Sequence, residues 1–346
     1  MPESTALRSL GITAVCIQLI LSGVCIPASA EPGDGSGFPE APGYGSRAEV
    51  MARILTGQLK LIGKPDSLPA GTRLDAGVIY GTVGDRELEM DIVRPESADE
   101  EKAENAGNAG RPALLFIHGG AWAKGSREDY YVYTHHFASL GYVCATAGYR
   151  LVREAPFPAA VKDVKCAIRF LRSHAGDYGI DPEKIAIVGG SAGGHLAMMA
   201  AYTGPEDGFD DSGGHAGVSS HVSAVVDFYG PADLTTDFAV KAGAVKAFLD
   251  GVPYSVNPQL YLQASPVTYL DAGDPPTLIF HGTLDEIVPV NQSNLLAARL
   301  RELEIDHYYD RLEGWPHTMD AALVVNNRTR AVMEWFLRKH LGDPAN

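Results

Sequence analysis

The chain has 346 residues, 45% of them hydrophobic, with 28 Lys and Arg against 43 Asp and Glu for a net charge of −15. That length holds one large domain or two modest ones, and the even spread of apolar residues predicts a single core. So acidic a chain is a poor partner for nucleic acid or an anionic membrane surface, and its acidity, which favours solubility, names no substrate.

Residues 1–30 have the order of a secretory signal peptide. Arg8 precedes an apolar run over 10–26, and Ala28-Ser29-Ala30 offers a small-residue cleavage site before Glu31. The run is short for a membrane span, and Val24 stands where a lipoprotein reading through Cys25 needs a small residue. A secreted or periplasmic protein is expected, with no membrane anchor after cleavage. Cleavage removes Cys16 and Cys25, and the remaining Cys144 and Cys166 are too few for a disulfide framework. Cys166 falls off the helical stripe Val161, Val164, Ile168 and Leu171, away from Cys144 on a buried strand, so two reduced, buried thiols are expected.

Residues 31–70 read as a leader and N-terminal segment, and 71–346 as the main domain. Residues 31–46 (EPGDGSGFPEAPGYGS) are Gly-, Pro- and Ser-rich and predict a flexible leader; a short helix follows over 48–60. Leu88, Met90 and Ile92 alternate with polar residues and predict a half-exposed strand. Residues 96–112 are charged and poor in apolar side chains, as a surface loop is. Short apolar runs then follow at 113–118, 142–147, 185–188, 222–228 and 277–280. Helical stretches at 127–140, 158–175, 192–202 and 291–303 lie between or after them, and a last helix spans 321–341. Strands without strict alternation, separated by amphipathic helices, predict an α/β chain with a mostly parallel sheet covered on both faces. Residues 231–270 exceed a plain crossover and predict a small lid.

Ser191 lies in IVGGSAGGHLA (187–197), after a predicted strand and before a predicted helix, and Gly189-Gly190-Ser191-Ala192-Gly193 fits G-x-S-x-G. A strand-to-helix turn this sharp strains the serine backbone and crowds its neighbours, which glycine relieves. It also pushes the hydroxyl out at the carboxyl edge of the sheet and aims the first helical amides at whatever the serine attacks. Glycine-rich turns also cradle phosphates, but neither G-x-x-x-x-G-K-[ST] nor G-x-G-x-x-G is present here. Tight helix–strand packing is the plainer account of the same glycines.

His118-Gly119-Gly120-Ala121-Trp122 follows the run ALLFIH, and its glycines let two backbone N–H groups turn inward. With the amide of Ala192 they would bind the oxygen of a tetrahedral intermediate, as an oxyanion hole. A serine needs a base oriented by a third group. Asp285 in HGTLDEIVP and His317 in EGWPHTM complete the order Ser–Asp–His, with Asp227 and Glu286 as alternative acids. His118, His195 and His281 read as packing or hydrogen-bonding residues.

The stretches FIHGGAW, GYRLVREAPFPAAVKDV, IVGGSAGGHLA, DFYGPADL, FHGTLDEIVP and GWPHTM together resemble the α/β-hydrolase superfamily over about residues 75–341. Within it they resemble the esterase branch that holds hormone-sensitive-lipase-like and feruloyl/acetyl-xylan-esterase-like (BD-FAE-like) enzymes. The resemblance implies an α/β-hydrolase fold with an eight-stranded, mostly parallel sheet, helices on both faces and a small lid. It implies hydrolysis of carboxylic esters without cofactor or metal, by Ser191, Asp285 and His317, with Gly119, Gly120 and Ala192 as the oxyanion hole. The implied substrates are short-acyl or hydroxycinnamoyl esters, small or borne on plant polysaccharides. Trp122 and the 231–270 segment are where a grip on the substrate would be sought, with plain packing as the alternative for both. HGGA replaces the HGGG of the lipase-like branch. A kynurenine-formamidase-like amidase shares the same layout, and a non-catalytic binding module on the same fold is the reading from another class. The stretch DGFDDSGGH (207–215) is a weak calcium candidate beside a solvated-loop reading.

Overall fold

The computed structural model describes residues 37–96 and 110–344. The expected signal peptide, the start of the leader (31–36) and most of the loop expected at 96–112 lie outside the described residues.

Helix α1 (Arg47–Leu55) is capped by Ser46, whose Oγ accepts from Glu49 N at 3.2 Å. It stops short of residue 60, because the Thr56 hydroxyl turns back to Ala52 O and Gly57 adopts φ 73°. The strands β1 (Thr72–Val83) and β2 (Arg86–Pro95) form a hairpin that the sequence reading saw only in part. Two register shifts break the alternation of β1, which hides its period. Then come β3 (Arg111–Ile117), α2 (Tyr131–Ser139), β4 (Val143–Ala147), α3 (Ala159–Ser173), the single turn α4 (Ala175–Tyr178) and β5 (Ile180–Gly190). The chain continues with α5 (Ala192–Tyr202), β6 (Ala224–Phe228), the short helices α6 (Asp237–Lys241), α7 (Gly243–Phe248) and α8 (Pro258–Gln263), and β7 (Thr277–Gly282). Helix α9 (Asn291–Glu302), β8 (His307–Leu312) and α10 (Leu323–Leu341) complete it. The three short helices occupy the expected lid segment.

The described residues form one eight-stranded sheet in the order β1-β2-β4-β3-β5-β6-β7-β8. β2 runs antiparallel to both of its neighbours and the remaining pairs are parallel, which is the α/β-hydrolase fold the resemblance implies. Leu115, Ile117, Ile185 and Ile187 pack on one face with α3, α5, α9 and lid residues. Leu114, Phe116, Ala186 and Val188 pack on the other with α1, α2 and α10. Burial on both faces is why these strands read as continuous apolar runs, each large side chain contributing about 1.5–3 kcal/mol. β2 is likewise buried on both faces over 91–95, not half-exposed: Val93 packs with residues of α1 and α2, and Asp91 accepts from Arg127 and from the hydroxyl of Tyr131 at the start of α2.

Both cysteines are buried free thiols, Cys144 on one face of the sheet and Cys166 on the other. Although off the main stripe, Cys166 is covered by the β1 backbone, its Sγ 3.5 Å from Tyr80 O. The described leader is not loose. Phe38 sits edge-on to Tyr308 and Trp335, Tyr44 to Trp315, and Arg328 donates to Pro39 O at 3.1 Å. Two aromatic anchors outweigh the local preference of glycine and proline for disorder. The calcium reading of 207–215 also fails: Asp210 pairs with Lys165 at 3.0 Å and Arg169 at 2.8 Å, and Asp211 with Lys162 at 2.6 Å. These cations on α3 already neutralise the carboxylates.

Candidate active site

The carboxyl ends of β3, β5 and β7 and the loop after β8 open along one edge of the sheet, where α/β folds gather their ligands. Ser191 stands between β5 and α5 with φ 56° and ψ −120°, a strained backbone for a residue with a side chain. Its N–H is tied to Phe228 O at 2.8 Å. A Cβ on Gly189 would come within 2.2 Å of Gly193 O, and one on Gly193 within 2.0 Å of Ile117 O. Only glycine lets α5 start this close to β3 and β5.

Asp285 and His317 are 32 positions apart in the chain, and the backbone stitches their loops together. Thr283 N donates to Leu312 O at 3.0 Å, Leu284 N to Trp315 O at 2.9 Å, and Gly314 N to Thr283 Oγ1 at 2.9 Å. His317 Nδ1 then lies 2.5 Å from Asp285 Oδ2, and His317 Nε2 lies 3.0 Å from Ser191 Oγ. Asp285 Oδ1 accepts from the amides of Ile287 at 2.8 Å and Val288 at 2.9 Å. Burial works to raise the pKa of Asp285, but hydrogen bonds from His281 and His317, the charge of His317 and the Val288 amide outweigh it. They hold the group at about 2. With the carboxylate on Nδ1, Nε2 is left to accept the serine proton, the geometry of nucleophile, base and orienting acid.

The other candidate acids go elsewhere. Asp227, wholly buried, accepts from Gly230 N at 2.9 Å, and burial pushes its pKa up to about 7. Exposed Glu286 pairs with Arg47 at 3.0 Å. His195 Nε2 donates to Ala264 O at 2.8 Å, and burial lowers its pKa to about 4, so it stays neutral. His118 stacks on Tyr149 at 4.3 Å with Nδ1 2.8 Å from Gly119 O.

The loop after β3 turns through positive φ at Gly120 (105°), Ala121 (55°) and Trp122 (55°). A Cβ on Gly119 would lie 3.5 Å from the Cβ of Ser191. Among the described residues the N–H groups of Gly119, Gly120 and Ala192 have no internal hydrogen-bond acceptor. Unmatched amides beside a serine are what an oxyanion requires. Trp122 is placed otherwise than expected. It is 3% exposed, stacked on Phe248 of α7 at 4.4 Å and edge-on to His195 at 5.1 Å. It packs the loop against the lid and leaves little surface for a substrate.

Two contacts on the site escaped the sequence reading. The Tyr229 ring lies 4.5 Å from that of His317, and its hydroxyl donates to Asp320 Oδ1 at 2.6 Å. His281 Nε2 lies 3.2 Å from Asp285 Oδ2, the same oxygen that His317 meets. The first joins residues that follow separate strands, β6 and β8, and no local pattern marks it; the second joins residues four positions apart, at the end of β7 and in the loop after it. A cavity of about 280 Å³ lies beside the loop after β3, lined by Leu88, His118, Gly125, Tyr149 and Leu151 with charged residues at its rim; none of Ser191, Asp285 and His317 lines it. Among the described residues no group of three or more His, Cys, Asp or Glu could hold a metal ion, and no helix is long and apolar enough to cross a membrane.

The family model that matches the chain is BD-FAE, over residues 99–300. The probable carboxylic ester hydrolase LipM of Mycobacterium tuberculosis is 36% identical over 234 residues, 66% of this chain and 52% of LipM. Esterase LipQ of the same organism is 33% identical over 255 residues, 72% of this chain and 58% of LipQ. The alignments thus span little more than half the length of either relative. Among solved structures, the thermophilic esterase Est2 of the Planctomycetes species Thermogutta terrifontis superposes with a TM-score of 0.64 at 28% identity, covering 78% of this chain and 92% of Est2.

Proposed function

The chain belongs to the BD-FAE family of the α/β-hydrolase fold, and from that premise we propose that it is a serine hydrolase of carboxylic esters. The observation that carries the reading is the unbroken hydrogen-bond line from Ser191 Oγ through His317 to Asp285 Oδ2, with spans of 3.0 Å and 2.5 Å. The related esterases support the reaction class.

In this reading Ser191 Oγ attacks the ester carbonyl carbon while His317 Nε2 takes the hydroxyl proton. The carbonyl oxygen becomes an oxyanion held by the N–H groups of Gly119, Gly120 and Ala192. Asp285, ionised well below neutral pH, keeps the His317 proton on Nδ1 and stabilises the imidazolium. His317 then gives the serine proton to the leaving alcohol as the C–O bond breaks, which leaves an acyl-serine. Water repeats the sequence, its proton passing through His317 back to Ser191, and releases the acid.

The substrates proposed are short-acyl or hydroxycinnamoyl esters, free or on plant polysaccharides, met outside the cytoplasm after export. The test is a panel of acetyl, butyryl and feruloyl esters with one formanilide, run on the wild type and on Ser191→Ala. Ester turnover should exceed anilide turnover, fall by about 10³-fold or more in Ser191→Ala, and vanish as a fluorophosphonate labels Ser191. An active alanine variant, or labelling at another residue, refutes the assignment.

A further inference from the structure

Asp285 Oδ2 has a second imidazole beside it. His281, next to last in β7, is wholly buried, with Nε2 3.2 Å from Asp285 Oδ2 and 2.8 Å from Val288 O. Its Nδ1 lies 2.7 Å from the hydroxyl of Ser293 on α9, which is also wholly buried. Those partners determine the tautomer. Nε2 faces a carbonyl and a carboxylate, both pure acceptors, so it carries the proton: it donates to Val288 O, and the positive edge of the same N–H stands 3.2 Å from Asp285 Oδ2. Nδ1 is therefore an acceptor, and Ser293 donates to it. The result is a chain of five neighbouring side chains, Ser191–His317–Asp285–His281–Ser293, in which two imidazoles, each next to a serine, meet the same carboxylate oxygen.

From this geometry we infer that His281 is a positioning residue of the hydrolytic site, holding Asp285 in line with His317 Nδ1, and that Ser293 keeps His281 in the tautomer that can do so. The inference rests on the triad reading above. Ile287 N and Val288 N anchor only Oδ1. Without the His281 N–H edge beside it, Oδ2 is held by His317 alone, and a small tilt of the carboxylate, within what the two amide bonds to Oδ1 tolerate, lengthens the 2.5 Å contact. Reactive groups misplaced by a fraction of an ångström to an ångström cost one to two powers of ten in rate. No proton passes through His281: its Nε2–H stays where it is, and its effect is orientation.

The experiment compares His281→Leu, His281→Gln and Ser293→Ala, each alone and combined with Asp285→Asn, using p-nitrophenyl acetate. His281→Leu should lower kcat by about 10- to 100-fold with KM within about twofold. His281→Gln, whose amide nitrogen can stand near the position of Nε2, should recover most of that loss. In the Asp285→Asn background His281→Leu should cost nothing further, because the two residues act through one contact. A merely structural histidine would lower activity by the same factor in both backgrounds, and that result overturns the inference, as does an unchanged kcat in folded His281→Leu. If His281→Leu does not fold, Ser293→Ala carries the test: a several-fold fall in kcat, absent beside Asp285→Asn, supports the inference, and an unchanged kcat overturns it. Ser191→Ala measured alongside separates the two claims. If it stays active, the proposed function fails; if it is dead while His281→Leu is unimpaired, only the positioning role fails.

Discussion

Replacing Asp285 with asparagine perturbs the site at its shortest contact. The retained oxygen still accepts from Ile287 and Val288, so the turn survives. The new amide nitrogen faces two N–H groups, His317 Nδ1 at 2.5 Å and His281 Nε2 at 3.2 Å. His317 escapes that clash by moving its proton to Nε2, and a protonated Nε2 cannot take the proton of Ser191. The expected loss in kcat is about 10³- to 10⁴-fold, equivalent to roughly 4–5.5 kcal/mol of transition-state stabilisation. Stability changes too. The folded carboxyl is held at about 2, whereas an unfolded aspartate titrates near 3.9, so ionised Asp285 contributes about 2–3 kcal/mol. For a depressed carboxylate that contribution is fully present above pH 4 and is lost as the pH falls toward 2. Asp285→Asn should therefore be less stable than the wild type at pH 7, with the gap closing between pH 4 and pH 2. Steady-state hydrolysis of p-nitrophenyl acetate, corrected for the folded fraction by circular dichroism, reads the first effect, and urea unfolding across that pH range reads the second. A folded Asp285→Asn variant that keeps kcat within tenfold of the wild type refutes the reasoning.

Asp227→Asn should leave kcat within a few-fold. Burial raises the folded Asp227 to about 7, so the native state retains a proton that the unfolded chain releases, and the residue becomes progressively destabilising from about pH 4 to pH 7. The variant should therefore gain stability relative to the wild type over that window in urea unfolding at pH 4.5 and pH 8; a kcat loss as large as that of Asp285→Asn would move the acid to β6. Gly193→Ala should destabilise despite alanine's better helix propensity, because its Cβ would meet Ile117 O at 2.0 Å. A Tm lower by about 3–10 °C is expected, and an unchanged Tm would contradict the packing of α5 on β3.

Much of the fold was legible because a covered parallel sheet writes itself into the chain one element at a time. Each inner strand must be apolar on both faces, and each helix must carry a stripe. Runs such as ALLFIH and IAIV therefore announced β3 and β5. What escaped was what lacked such a period: β1, broken by register shifts, and β8, whose residues 307–309 are only partly buried. The leader misled for a related reason. Its glycines and prolines are local evidence for a loose chain, whereas Phe38 and Tyr44 are held by rings on β8 and α10 and in the loop after β8 that no local window contains.

The site divides along the same line. Ser191 and its glycines lie within one short turn, where backbone sterics act between near neighbours, so the chain by itself determined that a serine would stand strained at a strand–helix junction. The choice among Asp285, Asp227 and Glu286 was open in the sequence, because each lies near the end of a strand. Tertiary structure sets them apart by joining the loops after β7 and β8, which brings His317 to Asp285 while Asp227 bonds to Gly230 N and Glu286 faces Arg47. Trp122 in the packing was decided in the same way. Contacts between residues tens to hundreds of positions apart depend on the order and register of strands, and no stretch of sequence holds that information alone.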